Sequence, residues 1–137
     1  MNKLKYFFQF ILIIFIFLIF KILGVKISSF IGGKLFELIG PMFRSKKIIN
    51  ENIKRAFPKI EQKKLDNIKS LMWNNYGRVF AEYIFLKEFR YGKLRDNIII
   101  DGQEILKKIK DDNKKVVFIS GHFSNFELMA MQIDKLG

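Results

Sequence analysis

Cysteine is absent from this 137-residue chain, and histidine occurs only once, as His122. Without a thiol, the chain has no disulfide, no cysteine nucleophile and no cysteine-ligated zinc. A single imidazole also excludes a metal site built from several histidines within the chain.

Acidic residues are scarce relative to basic ones, with 13 Asp and Glu against 25 Lys and Arg and a formal net charge of +12. The excess lies in the first 100 residues, since residues 101–137 are neutral. A basic belt beside an apolar segment attracts anionic lipid by roughly 1 kcal/mol per Lys or Arg near the surface. It equally suits anionic substrates or an acidic carrier protein. A bias toward lysine explains the same excess, and nucleic acid is a weaker candidate partner because the basic and apolar zones coincide.

Residues 1–26 form a predicted membrane anchor. Residues 6–20 are apolar except for Gln9, with lysines on both sides. A helix over residues 4–25 extends about 33 Å, enough for the roughly 30 Å hydrocarbon core of a bilayer. A cleaved signal peptide is the alternative, although no convincing small-residue cleavage pattern follows. More Lys and Arg follow the segment than precede it, so the positive-inside rule places residues 27–137 on the cytoplasmic side.

Three helices are predicted between residues 27 and 86. Residues 27–42 are apolar and punctuated by glycine, which suits an interfacial helix and a core helix equally well. Ser45 is a suitable N-cap for a helix over residues 46–57, which Pro58 ends. From about residue 61 to 86, apolar residues recur at steps of three and four, as in an amphipathic helix. These residues are Leu65, Ile68, Met72, Tyr76, Val79, Tyr83 and Leu86.

The last third of the chain has a different pattern. Residues 97–100 and 116–119 are short apolar runs typical of strands, and residues 103–110 and those from Phe126 onward favour helices. The order strand, helix, strand, helix predicts the α/β class. We therefore expect an N-terminal membrane helix, a helical segment, and then the start of a mostly parallel sheet with flanking helices, which the chain leaves incomplete.

His122 lies in the loop that follows the second predicted strand, at the strand end where ligands gather in open α/β sheets. On one continuous helix, His122 and Glu127 would point roughly 140° apart. They meet only if the histidine lies in a loop and the glutamate in the first turn of the next helix. A carboxylate bonded to one ring nitrogen then leaves the other free to take a proton from a hydroxyl, as a general base does. The alternative is that His122 is a structural loop residue, which the five-residue spacing to Glu127 fits equally well.

Phe123, Ser124 and Asn125 lie between these two residues and are the predicted substrate contacts. Their backbone N–H groups are candidate donors to an oxyanion that develops during acyl transfer. Ser124 lacks the Gly-x-Ser-x-Gly elbow that exposes a nucleophilic serine, so covalent catalysis by its hydroxyl is disfavoured.

Residues 116–128, VVFISGHFSNFEL, resemble the motif region of the bacterial late acyltransferases of lipid A biosynthesis. These lauroyl and myristoyl transferases belong to a lysophospholipid-acyltransferase-like group with a His-x4-Asp/Glu motif after an apolar strand. Residues 52–58, NIKRAFP, and 100–106, IDGQEIL, resemble further segments of the family in the same order. The similarity runs from about residue 32 to the end of the sequence.

The resemblance implies that His122 is the general base and that Glu127 orients it. It implies an acyl-carrier-protein thioester as the donor and an anionic, phosphorylated glucosamine-based lipid as the acceptor. It also implies that the reaction uses no metal or organic cofactor and takes place on the cytoplasmic face of the inner membrane. Family members are about twice as long and carry a downstream arginine motif, so we expect residues 27–137 to be the N-terminal part of the acyltransferase domain, inactive alone. The alternatives are acylation of another membrane lipid, such as a lysophospholipid or glycolipid, and a non-enzymatic, membrane-anchored basic adaptor.

Overall fold

The computed structural model describes the backbone of residues 2–136 and the side chains of residues 3–135. The chain divides into two compact units, Met1–Ile84 and Phe85–Gly137. The helices of the structure are α1 (Asn2–Ile39), α2 (Lys46–Ala56), α3 (Gln62–Glu82), α4 (Leu86–Tyr91), α5 (Gln103–Asp111) and α6 (Glu127–Leu136), with 3-10 turns at Gly40–Met42, Tyr83–Phe85 and Arg95–Asn97. The helices predicted over residues 1–26 and 27–42 form the single helix α1, and α4 was not predicted. The other predicted helices are confirmed with shifted ends.

Across residues 2–136 the structure contains no β-strand, so the predicted start of a parallel sheet, and with it the α/β class, is wrong. The two apolar runs are irregular segments, and Ile99, Val117 and Ile119 in them are 87%, 88% and 95% exposed. A strand exists only as part of a hydrogen-bonded ladder. An apolar run therefore becomes a strand only where another backbone pairs with it, and no such pairing occurs in this part of the chain.

Helix α1 bends sharply at Gly24, whose φ of 77° and ψ of 164° are not helical. Such dihedral angles are essentially restricted to glycine. The rings of Phe17 and Phe36 both contact the ring of Phe80 on α3, at centroid distances of 5.2 and 5.4 Å. A straight helix would separate residues 17 and 36 by about 28 Å along its axis. The bend therefore brings both halves of α1 against one position of α3.

The bend divides α1 into an apolar arm, residues 2–23, and a packed arm, residues 25–39. The hydroxyl of Ser28, which is fully buried, donates a 2.7 Å hydrogen bond to the carbonyl oxygen of Phe20 across the bend. In a straight helix residues 20 and 28 lie about 12 Å apart along the axis, so this bond forms only because α1 bends. Ser28 thus joins the two arms at the bend, and its buried hydroxyl has a partner.

The packed arm meets α3 backbone to backbone. A Cβ atom added at Gly77 would lie 2.0 Å from the carbonyl oxygen of Gly32, and one added at Gly32 would lie 2.5 Å from the carbonyl oxygen of Gly77. Only glycine permits this approach on both sides. The same face of α3 carries the buried residues Trp73 and Ala81.

A polar cluster beside the glycine contact further ties α1 to α3. The carboxylate of Glu37 accepts hydrogen bonds from Ser70 at 2.5 Å and Asn74 at 3.2 Å, both on α3. Lys34, on the same arm as Glu37, donates to that carboxylate at 2.9 Å. Because the acceptor is ionised, these bonds are stronger than those between neutral groups.

By length and composition, residues Lys3–Met42 qualify as a helix able to cross a membrane. The mean hydropathy of the segment's most apolar window is 2.8, and only 6% of that window is buried. Because Gly24 breaks the helix, the apolar arm has its own direction and extends about 33 Å at 1.5 Å per residue.

Candidate active site

His122 lies in the connection between the second apolar run and α6, and its side chain is exposed. The backbone N–H of Phe123 donates a 2.9 Å hydrogen bond to the carbonyl oxygen of Gly121. A bond between residues two apart closes a γ-turn with His122 at its centre. The turn presents the imidazole to solvent.

The imidazole of His122 contacts the ring of Phe126 edge to face. The two ring centroids are 4.2 Å apart and the ring planes are inclined at 85°. Such a T-shaped arrangement is a favoured geometry for aromatic pairs and stabilises by about 0.5–1.5 kcal/mol beyond area burial. The contact therefore restricts the orientation of an otherwise exposed side chain.

Glu127 is the first residue of α6, and its side chain is half-buried. The helix start is closed by Leu128 N–H donating to Asn125 O at 3.2 Å and Met129 N–H donating to Phe126 O at 3.1 Å. An acidic side chain at this position is stabilised by the helix dipole, typically by 0.3–1 kcal/mol. Among the described side chains, the contact that the structure shows for His122 is with the Phe126 ring, and Glu127 has a polar or electrostatic interaction within the chain.

The three residues between this pair differ in exposure and conformation. Phe123 is 84% exposed, whereas the side chain of Asn125 is half-buried. Ser124 has a φ of 45°, in the left-handed region that few non-glycine residues adopt. That reversal turns the chain from the loop into α6.

Helix α4 contributes residues that sequence reasoning missed. A groove of about 500 Å³ runs between α4 and α6 and includes Glu127 in its wall. Arg90 of α4 forms an ion pair with Asp134 of α6 across it, and its guanidinium carbon lies 5.0 Å from the centroid of the Tyr91 ring. Arg90 and Asp134 are 44 residues apart in sequence. A local sequence pattern does not predict an ion pair over such a separation.

A family model for the bacterial lipid A biosynthesis acyltransferases matches residues 1–137, the entire sequence. The chain belongs to this family. No curated protein and no solved structure matches it.

Membership of the lipid A acyltransferase family confirms the resemblance drawn from residues 116–128 and the expectation of an acyltransferase. It favours an enzyme over a basic adaptor. An acyltransferase of this type takes an acyl donor and a lipid acceptor, and the family is membrane-associated, in agreement with the apolar arm. Within the part of the chain that the structure describes, no three His, Cys, Asp or Glu side chains lie close enough together to hold a metal ion.

Proposed function

We propose that the protein transfers an acyl group from an acyl-carrier-protein thioester to a hydroxyl of a lipid A precursor, with His122 as general base and Glu127 as the partner of that base. The carrying observation is the placement of the two residues. His122 is exposed in a tight turn, and Glu127 begins the helix that follows. Their place in a chain matched throughout by a lipid A acyltransferase model supports the assignment.

In the proposed reaction, one ring nitrogen of His122 takes the proton of the acceptor hydroxyl while the oxygen attacks the thioester carbonyl carbon. The carbon–sulfur bond then breaks, the thiolate leaves with the electron pair, and the imidazolium returns the proton to the sulfur. The Glu127 carboxylate accepts a hydrogen bond from the other ring nitrogen and stabilises the imidazolium. Hydrogen bonds of this kind often tighten only once substrates have bound.

Phe123, Ser124 and Asn125 are the proposed substrate contacts. The exposed ring of Phe123 suits an apolar part of the substrate, and the polar side chains of Ser124 and Asn125 suit its hydroxyl or carbonyl groups. The backbone N–H of Phe123 already bonds to Gly121, so that amide is engaged within the turn.

The proposed location is the cytoplasmic face of the inner membrane. The apolar arm supplies the attachment, and the excess of Lys and Arg after it supports this orientation by the positive-inside rule. Both proposed substrates, an acyl carrier protein and a phosphorylated glycolipid, are anionic, and the net charge of +12 suits them.

The test uses the full-length protein in membranes, with labelled acyl-carrier-protein thioester and a lipid A precursor. His122→Gln is expected to lower the transfer rate about 10²–10⁴-fold, the usual contribution of a general base. Lys115→Gln, an exposed substitution outside the turn, serves as the control. A His122→Gln rate within about twofold of the parent would remove His122 as the base. If the protein transfers the acyl group to a lysophospholipid or another glycolipid in preference to the lipid A precursor, the proposed acceptor is wrong and that lipid takes its place in the proposal.

A further inference from the structure

The packed arm of α1 and the 3-10 turn that follows it carry an exposed apolar stripe on the face that α3 does not cover. Its residues recur at steps of four, four, three and four, and their exposed fractions run from 38% at Leu35 to 84% at Met42. The stripe consists of Ile27, Ile31, Leu35, Leu38 and Met42. Exposed apolar surface that is this continuous usually marks a contact with a membrane or a partner.

The bend in α1 fixes the direction in which the stripe faces. The hydrogen bond from Ser28 to the carbonyl of Phe20 identifies the side of the packed arm that faces the apolar arm. On the helical wheel, Leu35 lies about 20° from Ser28 and Ile31 about 60° from it. The stripe is therefore next to the face of the packed arm that is turned toward the apolar arm. A bilayer into which the apolar arm inserts would lie against that face.

Basic residues surround this stripe. Arg44, Lys46 and Lys47 follow it directly and are all exposed. Residues 25–47 contain five Lys or Arg and one acid, Glu37. The Glu37 carboxylate is engaged by Ser70 and by other donors at the α3 interface. The charge next to the stripe is therefore positive.

We propose that the apolar stripe docks on the surface of an anionic bilayer, so that the packed arm lies in the plane of the membrane while the apolar arm inserts. This inference deepens the proposed function, because it rests on membrane attachment through the apolar arm. It adds a second, in-plane contact that holds α1 and α3 against the lipid surface.

Two observations favour a bilayer over a second copy of the chain as the occupant. The stripe continues from the apolar arm, which is itself exposed along most of its length. Arg44, Lys46 and Lys47 complement anionic headgroups, whereas two copies of this basic segment would repel each other. A helix with one apolar face and basic flanks is the usual form of an in-plane membrane contact.

The absence of cysteine allows a direct test with single labels on the full-length protein. An environment-sensitive fluorophore is attached to the single cysteine of each of three variants. They are Met42→Cys on the stripe, Ile13→Cys in the apolar arm, and Lys63→Cys at an exposed position of α3 as the control. Each protein is reconstituted into phosphatidylcholine–phosphatidylglycerol vesicles that contain lipids spin-labelled either near the headgroup or deep in the acyl chain.

The shallow spin label is expected to quench the Met42 probe at least about twofold more strongly than the deep label does, because in-plane helices sit at the headgroup boundary. The deep label is expected to quench the Ile13 probe more strongly than the shallow one, and neither should quench the Lys63 probe.

Quenching at Ile13 without quenching at Met42 would overturn the docking surface and leave membrane attachment intact. Protection of the Met42 probe from water without quenching by lipid would assign the stripe to a protein surface, a second copy included, and would overturn the inference as well. Absence of quenching at Ile13 would remove the membrane attachment and the docking surface together.

Discussion

The α1–α3 pair of the first unit and the turn before α6 of the second are held together in different ways. In the pair, Gly32 and Gly77 bring two backbones into contact, and the buried hydroxyl of Ser28 donates to the carbonyl of Phe20 across the bend. In the turn, His122 is exposed and is oriented by one neighbouring ring and short local hydrogen bonds. The comparison shows a close-packed scaffold in one unit and accessible chemical groups on a loop in the other, the usual division between stability and function.

The largest expected effect on stability is a side chain placed in the glycine contact. Gly77→Ala puts a Cβ 2.0 Å from the Gly32 carbonyl oxygen, and a backbone atom cannot rotate away. We expect a loss of about 3 kcal/mol or more, as for severe overpacking. Denaturant unfolding in detergent, followed by the fluorescence of the single tryptophan, Trp73, measures it.

Gly33→Ala is the matched control for that substitution. The added Cβ would lie 3.0 Å from the side-chain amide atoms of Asn74 and 3.1 Å from a side-chain carbon of Arg78. Because side chains move more easily than backbone, the loss should stay below about 1 kcal/mol. Equal losses at Gly33 and Gly77 would contradict the backbone contact.

Ser28→Ala removes the hydroxyl that donates to the Phe20 carbonyl across the bend. Loss of one intramolecular hydrogen bond typically costs about 0.5–1.5 kcal/mol. The same unfolding measurement gives the loss, with Ser45→Ala as control, because the Ser45 side chain makes no capping hydrogen bond. An unchanged midpoint for Ser28→Ala would mean that the bend does not depend on this bond.

The scaffold was largely predictable from sequence, and the unit with the turn was not. The steps of three and four along residues 65–86 predicted α3 because burial of one helix face imposes that period. Residues 97–100 and 116–119 failed as strands because a strand depends on a distant backbone partner, which local pattern does not encode. The bend at Gly24 was missed for a similar reason, since Phe80 and Ser28 act on it only in the folded chain.

Arg90→Ala tests whether the ion pair with Asp134 couples α4 to α6. Because Arg90 is 29% and Asp134 66% exposed at the side chain, solvent weakens the pair, and we expect a loss of about 1 kcal/mol or less. Hydrogen exchange of the α6 amides measures the loosening directly. Lys87→Ala, a nearby substitution on the same helix and groove, is the control. Equal protection of α6 in the two variants would argue against a coupling role.

Phe126→Leu has the smallest expected effect on stability, but it should change the NMR signals of His122 clearly. Loss of the ring 4.2 Å from the imidazole removes its ring-current contribution to the His122 proton shifts. The chain has one histidine, so NMR of a histidine-labelled sample gives one set of imidazole signals. Phe126→Trp should retain a ring-current shift. Unchanged signals in Phe126→Leu would show that the two rings do not remain in contact in solution.

The position of the candidate site was predictable, and its surroundings were not. A loop for His122 and a helix start for Glu127 followed from the rotation of an α-helix and from the helix propensity of residues 126–136. The γ-turn centred on His122, the left-handed Ser124 and the ring of Phe126 beside His122 are conformational details that residue type alone does not determine.

The most direct test of the proposed chemistry compares two carboxylates at equivalent places on two helices. Glu127 lies in the first turn of α6, and Glu104 lies in the first turn of α5. In the full-length protein, Glu127→Gln should lower the rate of acyl transfer to the lipid acceptor about 10²-fold or more, because the imidazolium of His122 loses its charged partner. Glu104→Gln should leave the rate unchanged. Equal rates for the two variants would contradict a catalytic pair of His122 and Glu127.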